Sequence, residues 1–261
     1  MNRTFGIELE LTPHKIEDPC YEKDARTLTA ITKVPVKNFF TGANEDKKEY
    51  SRWTIKDEHT GCEITSPPMT SYLKLHQIVR AFQPRMKDRT TQECGLHVHV
   101  GVGKELYDSP QALLPLLYRY YHNQTYFYDM NPKYPDRVSY CKHWYDDHYF
   151  HIRRLADRSG WHNSSLTSHF NGLSLGRLDD IGTVEFRMAP ATTVAKDIAY
   201  WTAWCQHFVE ATMKKGPKAK FNKTESFDKL AASIGLPKHI IQWGKARIEK
   251  YAKKKYEIMA A

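Results

Sequence analysis

The sequence predicts an α+β fold, with a mainly antiparallel sheet and helices packed on its outer face. Three observations carry that reading. Short segments alternate apolar and polar residues with the period of a strand. These segments outnumber any strand–helix–strand alternation. Their half-polar character suits antiparallel strands with one covered face.

In chain order, Phe5 to Leu11 alternates apolar and acidic residues and reads as a strand. Trp53 to Lys56 and Glu63 to Thr65 read as two short strands around the turn-like run Asp57-Glu58-His59-Thr60-Gly61. Thr70 to Phe82 has helical spacing, and Cys94 to Val102 alternates again. Ser109 followed by Pro110 predicts a helix start, Ser as the cap and Pro in the first turn, with Pro115 disturbing the early part. Leu173 to Leu175 and Thr183 to Met188 are two further strands. Between Ala195 and Met213, Ile198, Trp201, Cys205, Phe208, Val209 and Thr212 recur at helical spacing and predict an amphipathic helix. Between Pro237 and Met259, Ile240, Ile241, Ile248, Tyr251, Ala252 and Met259 form one stripe, so this helix is expected to dock on the body. The organisation read from this is a body over 1–212 and a basic linker with a docked C-terminal helix over 213–261.

Composition narrows the function classes. The 33 aromatic residues among 261 exclude a disordered chain. No apolar run approaches the roughly 18 residues of a membrane helix, so no membrane partner is expected. The start, MNRTFGIELELT, lacks the apolar stretch and cleavage site of a secretory signal. Five cysteines with no CxxC spacing argue against a disulfide framework or zinc knuckle and predict a cytoplasmic setting. The formal net charge of +9 suggests nucleic acid until it is located. The last 49 residues hold 13 basic and 4 acidic side chains, which account for all of it, and the first 212 residues are balanced. The Lys-rich run Lys214 to Lys223 reads as a linker or exposed loop. A solvated tail helix explains this charge, and no recognised nucleic-acid motif accompanies it.

The chemistry lies on the polar strand faces. Glu8 and Glu10 share one face of their strand, His97 and His99 one face of theirs, and Glu185 and Arg187 one face of a third. Glu63 repeats the scheme on a shorter strand. A solvated sheet face usually mixes Thr, Lys, Ser and Arg with Glu, and Glu-x-Arg alone is usually a cross-strand ion pair. Carboxylates two residues apart on a strand lie roughly 7 Å from each other and repel by about 2 kcal/mol at an effective dielectric near 20. A lined group of them needs protons or cations. Hard divalent ions with carboxylate oxygens meet that need. An added histidine is compatible with Mg²⁺ or Mn²⁺ and more natural for Zn²⁺ or Fe²⁺.

Five ordered segments resemble the amidoligase family of the glutamine synthetase and glutamate–cysteine ligase superfamily. They are Phe5-Gly-Ile-Glu-Leu-Glu-Leu11, Trp53-Thr-Ile-Lys-Asp57, Gly61-Cys-Glu-Ile-Thr-Ser-Pro67, Cys94-Gly-Leu-His-Val-His-Val-Gly101, and Asn171 followed by Gly182-Thr-Val-Glu-Phe-Arg187. A weaker echo is Arg137-Val-Ser-Tyr-Cys141. The resemblance implies a curved antiparallel sheet forming an active-site funnel. It implies ATP-dependent joining of a carboxylate to an amine through an acyl phosphate, with Mg²⁺ (or Mn²⁺) bound. Substrates would be small-molecule, peptide or protein carboxylates and amines.

Carried over by residue, Glu8 and Glu10 each hold a Mg²⁺ and Glu63 completes the site nearer the substrate. His97 and Glu185 join Glu8 at the phosphates, and Arg187 neutralises the γ-phosphate. His99 is a phosphate or substrate contact. Asp57 either positions or deprotonates the amine or is an ordinary turn aspartate. Asn171 and Arg137 are candidate substrate or phosphate contacts. The family's Gly-Thr pair after the Glu-Phe-Arg strand is replaced here by Ala191-Thr192-Thr193 after Pro190, leaving Thr192 as a candidate contact with altered turn shape. The Tyr- and His-rich stretch from Tyr118 to Arg154 reads as packing with a partly exposed lid.

Two other readings compete. One is a mononuclear metal enzyme, hydrolytic or oxygen-dependent, using His97 and His99, which leaves Glu8, Glu10 and Arg187 unexplained. The other is a non-catalytic nucleic-acid-binding protein, resting on the Lys-rich tail alone.

Overall fold

The computed structural model describes residues 3–13, 20–39, 51–58, 61–132, 141–156 and 165–259. The expected alternation becomes strands: β1 (Phe5–Leu11), β2 (Lys37–Phe39), β3 (Thr54–Glu58), β4 (Gly61–Thr65), β5 (Gly95–Gly101), β6 (Leu173–Ser174) and β7 (Thr183–Pro190). The helices are α1 (Cys20–Thr32), α2 (Tyr72–Met86), α3 (Leu114–Asp129), α4 (Asp146–Ala156), α5 (Leu178–Ile181), α6 (Ala195–Lys214), α7 (Phe227–Ser233) and α8 (Lys238–Met259). The mixed helix and sheet content and the antiparallel pairings agree with the predicted class. One pair departs from it, because β2 runs parallel to β3.

Contacts divide the chain into two compact units, 4–98 with 190–202, and 99–189 with 203–261 and residues 1–3. The strand β5 and the helix α6 each begin in the first and end in the second. The tail 213–261 falls in the second.

In the first unit the strand order is β2-β3-β4-β1-β5. Ile7, Leu9 and Leu11 are buried while Glu8 and Glu10 are partly exposed, as period two requires. The apolar face is roofed by helices: Ile7, Leu9, Ile64 and Trp53 converge with Leu28 of α1 and Ile78, Val79, Phe82 and Met86 of α2 around a void of only about 10 Å³. Ser71 caps α2 by accepting the Lys74 N–H at 3.2 Å. This helix runs past the predicted Phe82 to Met86, whose side chain is buried. The helix α1 has no counterpart in the sequence reading. Of its residues with a described side chain, only Asp24 and Leu28 are buried, so its apolar period is too weak to register. Asp24 instead takes Arg85 Nε at 2.8 Å and Arg89 Nη1 at 2.5 Å, joining α1 to α2 by a buried ion pair. Gly61, opposite Glu58 in the β3–β4 hairpin, has φ +136°, and a Cβ there would lie 2.5 Å from Pro13. His59 and Thr60 of the predicted turn lie outside the described residues.

In the second unit the order is β5-β7-β6, with Leu173 opposite Phe186 and Ser174 opposite Glu185. Its core is aromatic. Phe127 stacks on Phe186 at 5.5 Å and meets Phe208 edge-on at 4.9 Å, and Tyr120 meets Trp144 at 4.8 Å. The predicted Ser109 cap does not form. Pro110–Leu113 is a 3-10 turn with no side-chain cap, and α3 starts afterwards with Pro115 in its first turn, where a missing N–H costs nothing. The long helix α6 differs from the amphipathic expectation, because every residue from Trp201 to Glu210 is buried. Its buried polar side chains find partners: Gln206 donates to the Arg3 carbonyl at 2.7 Å, His207 Nδ1 meets the Ile234 carbonyl at 3.1 Å, and Glu210 pairs with the exposed Lys214 at 2.8 Å.

The run after α6 is irregular and largely exposed, as its Lys content predicts. It is anchored at Glu225, which receives Nε and Nη2 of the buried Arg119 at 2.8 and 3.1 Å. The helix α8 packs within the second unit. Ile240 and Trp243 are buried and Arg247 Nε donates to the Met130 carbonyl at 2.6 Å. The side chains of Ala252 and Met259 lie outside the described part. Among the described residues no helix is long and apolar enough to cross a membrane.

Candidate active site

Hairpin geometry builds the first group. Pairing Glu58 with Gly61 fixes the β3–β4 register, which sets Lys56 opposite Glu63, and the β1–β4 register sets Glu10 opposite Glu63. Directly opposed residues share a face with Cβ atoms about 5 Å apart. Lys56, Glu63 and Glu10 therefore form a row across three strands of the first unit. Glu8, opposite Thr65, lies two residues along on the same face. His97 of β5 closes the group, with Nδ1 3.3 Å from Glu8 Oε2 and Nε2 3.7 Å from Glu10 Oε1.

Two like charges opposed on a sheet destabilise it unless compensated. Here Lys56 Nζ sits 2.8 Å from Glu63 Oε1, and the Thr65 hydroxyl donates to the same oxygen at 3.1 Å. Glu10 Oε2 accepts the Gly95 N–H at 2.5 Å. Glu63 is 4% exposed. Burial first and the Glu8 charge second push its carboxyl up to about 7, against the opposing pull of Lys56 and His97. The row thus carries more negative charge than its own cations neutralise. Three carboxylates and one imidazole on adjacent strands are a donor set that fits a hard divalent ion.

The second group lies on β7 and the end of β5, in the second unit. Thr183, Glu185 and Arg187 occupy alternate positions of one strand face. His99 Nδ1 shares a hydrogen bond with Thr183 Oγ1 at 3.2 Å, and its Nε2 lies 3.8 Å from Glu185 Oε1. The Arg187 guanidinium pairs with Glu185. Glu185 is buried, whereas the Arg187 side chain keeps 21% exposure, so the arginine is the more accessible member of this pair. An accessible Arg backed by a buried carboxylate is suited to a phosphate or carboxylate oxygen.

A family model described as "putative amidoligase enzyme" matches residues 1–209, four-fifths of the chain. The chain belongs to the amidoligase family. That family name denotes an enzyme that forms amide bonds. A search of curated proteins finds no match.

The amidoligase match covers both groups and stops within α6. The remaining candidate residues of this stretch sit elsewhere. Asp57 pairs with Cys62 and so lies on the strand face opposite to Lys56 and Glu63, exposed and apart from the glutamate row. Asn171 is held by His148 Nε2 at 3.2 Å and donates to the Ser165 carbonyl at 2.5 Å, which fixes the turn before β6. Thr192 accepts the Val194 N–H at 3.2 Å ahead of α6. Arg137 lies outside the described residues. In the aromatic stretch, Tyr118 and Tyr121 of α3 pack on Tyr149 of α4 at 5.8 and 5.0 Å, and Tyr128 stacks on His143 at 3.5 Å. Tyr145 and Phe150 are exposed. A larger cavity, about 570 Å³, is bounded by Ile31, Lys74, Trp53 and Pro67 rather than by either group.

Sequence reasoning passed over Lys56, Thr65 and Thr183. Lys56 stands inside the quoted Trp53–Asp57 motif, and closing the hairpin at Glu58–Gly61 would have placed it opposite Glu63.

Proposed function

We propose that this amidoligase is an ATP-dependent carboxylate–amine ligase with the chemistry of the glutamine synthetase and glutamate–cysteine ligase superfamily. A substrate carboxylate oxygen attacks the γ-phosphorus of ATP, ADP leaves, and the acyl phosphate is opened by an amine. The amine gives up a proton as the C–N bond forms and inorganic phosphate departs. The reading is supported most by the glutamate row, with Glu10 directly opposite the buried Glu63, in a chain of this family.

Glu8, Glu10, Glu63 and His97 are the residues that would hold Mg²⁺ or Mn²⁺ in the first unit; in the second unit Glu185 is a candidate ligand in its own right. Such an ion, when bound, screens the charge of the phosphate oxygens. Arg187 meets the phosphoryl charge through its guanidinium, and Glu185 keeps that guanidinium oriented. His99, set by Thr183, supplies an imidazole beside the same pair. The Glu10 carboxylate is aimed by the Gly95 N–H.

The test is hydroxamate formation with hydroxylamine as the amine, across a panel of amino-acid and peptide carboxylates, with ADP measured in parallel. Hydroxamate and ADP are expected in equal amounts, and Glu185→Ala is expected to abolish ATP binding measured by calorimetry. Failure to bind ATP in the presence of Mg²⁺, or undiminished binding by the variant, overturns the reading.

A further inference from the structure

Lys56 is bound to an oxygen of Glu63, the buried carboxylate that the metal-binding reading assigns to the cation. Its ammonium is 2.8 Å from Glu63 Oε1, where the Thr65 hydroxyl also donates. The Glu63 side chain is 5% exposed and has little access to water, whereas the Lys56 side chain is 40% exposed. A lysine ammonium is a compact, well-hydrated charge on a flexible stem, so it can swing into solvent at small cost. Glu63 cannot follow, being fixed in the middle of the row between Lys56 and Glu10.

We propose that Lys56 is a tethered competitor for the divalent cation. It holds Glu63 in the cation-free protein and must leave that oxygen when the cation arrives. The inference rests on the metal-binding reading above and adds to it a residue that sets cation affinity. Competition places the resting charge of the row on the chain itself, so the cation-free site stays assembled. It also predicts that affinity is limited by displacement of the ammonium rather than by a shortage of donors.

Mn²⁺ binding to the full chain, followed by the electron paramagnetic resonance of free Mn²⁺ at constant pH and ionic strength, tests this. Lys56→Gln is expected to bind Mn²⁺ about tenfold more tightly than the wild type. The wild-type site must give up the charge-assisted bond between the Lys56 ammonium and Glu63 before the ion binds, a cost of about that order which the variant does not carry. Lys56→Arg, whose planar fork grips a carboxylate more firmly, is expected to bind several-fold more weakly. In a Glu63→Gln background, Lys56→Gln is expected to change the affinity little, which separates competition at Glu63 from a general charge effect. If Lys56→Gln does not fold, Lys56→Arg decides alone. Unchanged or weaker binding by Lys56→Gln, or unchanged binding by Lys56→Arg, overturns the competition while leaving the metal site standing. Absence of saturable Mn²⁺ binding in the wild type removes the metal-binding reading, and the competition with it.

Discussion

Glu63 gives the cation-free protein a pH dependence that one substitution isolates. Its carboxyl is pushed from 4.5 to about 7, by burial first and by the Glu8 charge second. Between those values the folded chain keeps a proton that the unfolded chain has released. Stability therefore falls as the pH rises from about 4.5 to about 7 and stays lowered above that. The gap corresponds to at most about 3 kcal/mol. Glu63→Gln removes the ionisation and keeps an amide oxygen for Lys56 and Thr65 to donate to. Urea unfolding in EDTA at pH 5, 6, 7 and 8 and fixed ionic strength measures both proteins. Subtracting wild type from variant cancels groups that titrate alike in the two. The variant is expected to gain on the wild type by about 2–3 kcal/mol across this range. A difference that is flat with pH, or that favours the wild type as the pH rises, refutes the burial argument.

Two further outcomes follow from buried ion pairs. Asp24→Ala leaves Arg89, 2% exposed, without its carboxylate, and is expected to cost about 3–5 kcal/mol in urea unfolding, most of it from the stranded charge. Arg119→Ala removes the paired bonds to Glu225 and is expected to cost about 2 kcal/mol. Because Glu225 anchors the Lys-rich run, the same variant should be cut faster by trypsin between Lys215 and Lys223, read by mass spectrometry of the early fragments.

Much of the site was legible because strand alternation is local. Phe5–Leu11 matches the observed β1 residue for residue, and the carboxylates lie on the face opposite its buried Ile7 and Leu9. The His strand was placed within one residue at each end, as Gly95–Gly101. Asp57 shows the limit of motif reading. It lies beside Lys56 in sequence, but a step of one residue on a strand changes the face, and Asp57 points away from the glutamates. Thr192 and Asn171 are polar residues in turns, and the structure gives their side chains to local backbone groups and to His148. The helix α1 escaped notice because an ion pair, rather than an apolar stripe, ties it down.

The sequence by itself determined the family, the strands that carry Glu8, Glu10, Glu63, His97, His99, Glu185 and Arg187, and the location of the excess positive charge in the last 49 residues. Each of these depends on residue order or on a period of two or of 3.6, which neighbours along the chain suffice to express. Tertiary structure decided which of these side chains meet. Register across β1, β4 and β3 chose Lys56 as the partner of Glu63 and excluded Asp57, and burial moved the Glu63 carboxyl toward neutrality. Opposition across strands and removal from water are properties of the folded neighbourhood, and they are what turn a line of acidic residues into a site with a defined charge.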